Sequence, residues 1–148
     1  MRIGVVVLVL WTLANLVFSY RLGTTSRSPA APADGRTALR VPVAAPEAVL
    51  TEMRAMLASV QGVTDGVARS DAEAIRRAAA ASGMATAADP ALEKVLPEEF
   101  LRLGMATHMA FDSLAANAAA GPEASMKALA GITSTCVACH AAFRLEAR

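Results

Sequence analysis

Close to the C-terminus, Cys136-Val137-Ala138-Cys139-His140 gathers both cysteines of the 148-residue chain and one of its two histidines into five positions. On a helix, side chains three and four residues apart share a face, so Cys136, Cys139 and His140 project to one side. This is the spacing by which a chain attaches c-type haem. Two thiols add to the two vinyl groups of one porphyrin, and the adjacent imidazole meets the iron as its proximal ligand. A helix carrying that face has to turn it toward an interior, which limits the folds open to the chain.

Three other uses of the motif fit less well. A redox Cys-x-x-Cys belongs near a strand–helix junction of a βαβ pattern, and no strand pattern precedes Cys136. A zinc site would crowd His140 against Cys139 and lacks the usual second pair at finger spacing. A disulfide across two intervening helical residues would be strained.

The rest of the chain reads as helix. Aromatic residues make up 4% of it, alanine is abundant and strand-type alternation is absent. Pro46 suits a first helical turn. Val49, Leu50, Met53, Met56, Leu57, Val60, Val63 and Val67 follow at three- and four-residue steps, with Met53, Val60 and Val67 along the middle of the stripe. Ser70-Asp71-Ala72-Glu73 predicts a capping box and a second helix running to Gly83. Asp89-Pro90 predicts a brief helical piece ending before Pro97. A third helix starts at Pro97-Glu98-Glu99, with Phe100, Leu103, Gly104, Thr107, Phe111 and Leu114 as its apolar face. Gly121-Pro122 separates it from a fourth, on which Leu129, Ile132, Cys136, Cys139, His140 and Phe143 share one side. The expectation is an all-α fold, an antiparallel four-helix bundle over residues 46–148 with the motif facing inward, since bundle cores commonly house cofactors.

Ahead of that domain, Ile3–Tyr20 is apolar apart from Thr12, Asn15 and Ser19, with Arg2 before it and Arg21 behind. Its length as a helix is about 27 Å, just enough for a hydrocarbon core. Residues 1–22 are therefore read as a transmembrane anchor, with a cleaved signal peptide as the alternative. Neither Val17-Phe18-Ser19 nor Thr12-Leu13-Ala14 makes a good cleavage site. Trp11 argues the other way, because tryptophan prefers membrane interfaces to the bilayer centre. Residues 23–45, with Pro29, Pro32 and Pro42 among Ser, Thr, Ala and Gly, read as a flexible linker. Charge counts against nucleic acid as a partner. Residues 41–148 hold nine basic and twelve acidic side chains and no basic face.

A Cys-x-x-Cys-His near the end of an all-helical domain resembles the cytochrome c′ family, including its low-spin branch. In the ordinary cytochrome c fold the motif lies near the N-terminus instead. The tail Cys136–Arg144 is similar to that family's ending, in which the histidine is followed three and four residues later by an aromatic and a basic residue, here Phe143 and Arg144. The resemblance covers residues 46–148 and is carried mainly by this motif. It implies one covalent haem c per chain, an often dimeric bundle in the bacterial periplasm, and either electron transfer to redox partner proteins or binding of small gases, notably nitric oxide. The N-terminal segment would make this a membrane-tethered version. In that frame Cys136 and Cys139 carry the thioethers and His140 is the axial ligand. Arg144 either pairs with a haem propionate or is a solvated cation compensating the helix dipole.

The low-spin branch places a sixth-position methionine on the first helix, where Met53 and Met56 stand; Met53, central in the stripe, is preferred. Ordinary core packing is the other reading of either side chain, because flexible thioethers fill gaps well. Met84, Met105 and His108 are further candidates, the last with Asp112 one turn on to orient its ring. No nucleophile–base pair or paired carboxylates point to an enzyme.

Overall fold

A computed structural model of the chain describes residues 11–17, 34–87 and 94–147. The chain divides into two units, residues 1–34 and 35–148. In the first, residues 11–17 are helical. Among the described residues no helix is long and apolar enough to cross a membrane. Most of the anchor-or-signal segment 1–22 lies outside the described residues, as do Asp89 and Pro90.

The second unit is mostly helical and carries one small sheet. In chain order it contains strand β1 (Thr37–Val41), helices α1 (Ala45–Ala68), α2 (Ala72–Ala80), α3 (Glu98–Ala116) and α4 (Pro122–Ala142), and strand β2 (Phe143–Ala147). Helix α1 packs on α2 and α4, and α3 packs on the same two neighbours.

The local signals act where the sequence places them, with one shift. Asp71, rather than Ser70, caps α2, its side chain accepting from the Ala74 amide at 2.9 Å. Glu73 does not reach back to complete a box; it pairs with Arg76 and Arg77. These two guanidinium groups hold its carboxyl well below the ordinary range, at about 2.

Glycine decides how closely α1 and α2 approach. A Cβ on Gly66 would stand 2.8 Å from Ile75 Cγ1, and one on Gly62 would stand 2.9 Å from the Ala78 Cβ. The approach displaces the buried meridian of α1. Val49, Ser59, Val63 and Gly66 are buried, whereas Met53, Met56 and Val60 from the predicted stripe are only half-buried.

Two apolar clusters result. Val63, Ile75, Phe111, Leu114, Leu129 and Ile132 form one among the four helices. Leu39, Val41, Val49, Leu96 and Phe143 form the other, where the sheet meets α1 and α3. Phe100 packs edge-on against Phe143 at the second, with ring centroids 5.7 Å apart.

The sheet corrects two expectations. Residues 37–41 are not flexible linker: β1 lies parallel to β2, from Thr37 opposite Phe143 to Val41 opposite Ala147. Leu39 and Val41 are buried while Arg40 points outward. The compact unit therefore begins at Gly35, not at residue 46, and the fold is not purely helical. The physical reason is that a two-residue alternation inside five residues becomes a strand only when a partner strand and an apolar floor are supplied. The partner here lies a hundred residues further on. Phe143 likewise leaves α4 and turns extended, at φ −126°, to start β2.

Candidate haem-attachment site

Helices α1, α3 and α4 border a partly open cavity of about 430 Å³. On the α4 side Cys136, Cys139 and His140 all line it, as their shared face requires. The rest of the lining includes Met53, Met56, Leu57 and Val60 of α1, and Phe100, Leu103, Gly104 and Met105 of α3. The methionine face of α1, left half-buried by the close approach of α2, borders this space.

The motif bridges the two cores. Cys136 packs with Met56 against the four-helix cluster, and Cys139 packs with Met53 against the sheet-end cluster. Both thiols are free and half-buried. Burial pushes each above the ordinary thiol value, and for Cys139 the neighbouring Cys136 adds to the rise. The thiolate is the nucleophile, so a raised value slows attack at neutral pH. Before any haem is attached, the chain should react with iodoacetamide more slowly than a free cysteine at pH 7. The rate should climb as the pH rises through and beyond the ordinary thiol range. Mass spectrometry of timed samples checks this; equal rates at neutral pH would contradict the burial.

The cavity suits a planar apolar ring. Both thiols and the imidazole reach one wall, and the facing walls are largely apolar. Where a Cβ on Gly104 would project, nothing lies within 4 Å. Among the described residues no group of three or more His, Cys, Asp or Glu is placed to hold a metal ion.

The sixth-position candidates separate by place. Met53, Met56 and Met105 line the cavity. Met84 does not; it sits in a 3-10 turn, and its amide donates to Asp112 Oδ2 at 3.0 Å. That bond engages the carboxylate expected to orient His108. His108 is instead 2% exposed and is held from both sides. Its Nδ1–H donates to the Ser82 carbonyl oxygen at 2.9 Å, and Nε2 lies 2.7 Å from Glu52 Oε1. One ring nitrogen is engaged by the carbonyl and the other by the carboxyl. Neither ring nitrogen is left for iron.

Arg144 is not at the cavity. On β2 its guanidinium meets the Glu146 carboxylate, and it is largely buried rather than solvated. The cation lining the cavity is Arg54, held by Glu47 at 2.9 Å. Sequence reasoning passed over Arg54, and over Glu52 beside it. Both are polar residues on a stripe read for its apolar members, and Glu52 has meaning only through His108, 56 positions away.

Comparison with protein-family models, with curated proteins and with solved structures finds no match to this chain.

Proposed function

We propose that this chain is a monohaem c-type cytochrome, an antiparallel four-helix bundle resembling the cytochrome c′ family that transfers electrons in the bacterial periplasm. The observation that carries the reading is the common cavity: Cys136, Cys139 and His140 line it from α4, and Met53 and Met56 line it from α1. In attachment each S–H adds across one vinyl C=C, so a C–S and a C–H bond form with no net oxidation. Covalent haem supplies a one-electron Fe(III)/Fe(II) centre. His140 would supply an imidazole nitrogen to the iron, and Met53 would be the preferred second donor. A thioether in that position raises the potential, as do apolar walls that keep water away.

The same reading holds the domain at the inner membrane through residues 1–22, with a redox protein as partner and a homodimer as assembly. It assigns no enzymatic step.

Gas binding is the second reading, and it has its own observation. Met53 already packs into the sheet-end cluster with Cys139, and the space beside Gly104 is open. A methionine kept for packing would leave the iron five-coordinate and open to nitric oxide.

The visible spectrum of protein from a host that attaches haem c separates the two. Sharp split bands in the reduced protein, unchanged under carbon monoxide, are expected for electron transfer. A broad high-spin spectrum that shifts with carbon monoxide would replace that reading with gas binding.

A further inference from the structure

Along the lining of the cavity, at Glu52 and His108, begins a polar network that continues into the buried space between α1 and α2. His108 of α3 engages Glu52 of α1 and the Ser82 carbonyl just after α2. The Ser82 hydroxyl shares a 2.8 Å hydrogen bond with the hydroxyl of Ser59, again on α1, and both serines are buried. Helix α1 is therefore held by directional bonds at Glu52 and Ser59. Seven residues amount to nearly two full turns, so these anchors fall on one line along the helix. Two bonds on one line fix the rotation of α1 about its axis. The apolar contacts around them are not directional and set no angle by themselves.

That rotation decides which thioether faces the cavity centre. Met56 lies about 40° around the helix from Glu52, and Met53 about 100°. A turn of α1 by about 60° would bring Met56 to the angle that Met53 holds and carry Met53 past it. We propose that the Glu52–His108–Ser82–Ser59 network is a positioning device that sets α1 so that Met53, rather than Met56, supplies the sixth ligand. The proposal rests on the haem reading above. It gives His108 a role as a positioning residue, not a ligand.

Holoprotein carrying Glu52→Ala or Glu52→Gln tests it. The readouts are the weak red charge-transfer band of methionine-ligated ferric haem and the reduction potential. In Glu52→Gln the side-chain amide N–H donates to Nε2 of a His108 that still donates from Nδ1 to Ser82, so the contact is kept and the band and potential are expected to stay. In Glu52→Ala the band should be lost, the potential should fall, and the reduced protein should gain carbon monoxide binding. Ser59→Ala leaves the His108–Glu52 contact intact and removes only the second anchor, so it should weaken the band even if Glu52→Ala folds poorly. Met53→Ala, but not Met56→Ala, should abolish the band in the otherwise unchanged chain.

Retention of the full band and potential in Glu52→Ala or Ser59→Ala, with only a lower melting temperature, would overturn the proposal and make the network merely structural. Loss of the band in Met56→Ala alone would overturn it too. So would a wild-type holoprotein that holds haem but shows no band. Wild type with no covalent haem would overturn the haem reading itself.

Discussion

Replacing Cys136 and Cys139 together by serine is expected to abolish covalent haem in protein from a host that attaches haem c. A hydroxyl is a far poorer nucleophile than a thiol toward a vinyl group, so neither bond would form. Haem staining after denaturing electrophoresis reads the result: a strong band for wild type and none for the double variant. Each single variant keeps one thioether and should still stain. His140→Ala should stain as well, while losing the proximal nitrogen and hence the wild-type spectrum. The three side chains share one cavity wall, so the variants separate attachment from axial ligation at a single site. A wild-type chain without stain would remove haem from the account, leaving two half-buried thiols whose raised values make them poor nucleophiles at neutral pH.

Leu39→Ala is expected to destabilise the folded unit by roughly 2–5 kcal/mol, as for other buried leucines cut to alanine. Leu39 is 2% exposed and packs with Val49, Leu96 and Phe143 beneath the sheet. Urea unfolding followed by far-ultraviolet circular dichroism measures the change in midpoint. A flexible linker at this position would show none. The sheet also bears on the haem motif. Its second strand begins three residues after His140, and Arg36, just before β1, donates from Nη1 toward the His140 carbonyl oxygen at 3.5 Å. Loosening β1 therefore releases one support of the motif's C-terminal side, and the variant's spectrum should be recorded alongside its stability.

The helices were legible because their signals are local. Pro46, Asp71, Pro97 and Gly121-Pro122 mark the helix starts, and three- and four-residue spacing marks the faces. The shared face of Cys136, Cys139 and His140 was legible for the same reason. Position within the stripe of α1 was not. Met53 and Val60 stand at its centre by periodicity, yet Ser59 and Gly66 join Val49 and Val63 as the buried residues, because at Gly66 only a glycine admits α2 so closely. Arg144 misled in a related way. Read as continuing α4, it falls one turn beyond His140; in the structure the chain has turned extended at Phe143 and carries it to Glu146.

By itself the sequence determined four helices, their order and the one wall on which two thiols and an imidazole meet, since each depends on neighbours within a few turns. Only the tertiary structure decided that residues 37–41 are a strand, that a cavity opens between α1, α3 and α4, and that His108 is bound to Glu52 and Ser82. Those features join residues between 26 and about 106 positions apart. A strand needs a partner and a buried polar ring needs donors and acceptors, and no local pattern in the chain records which distant residue will supply them.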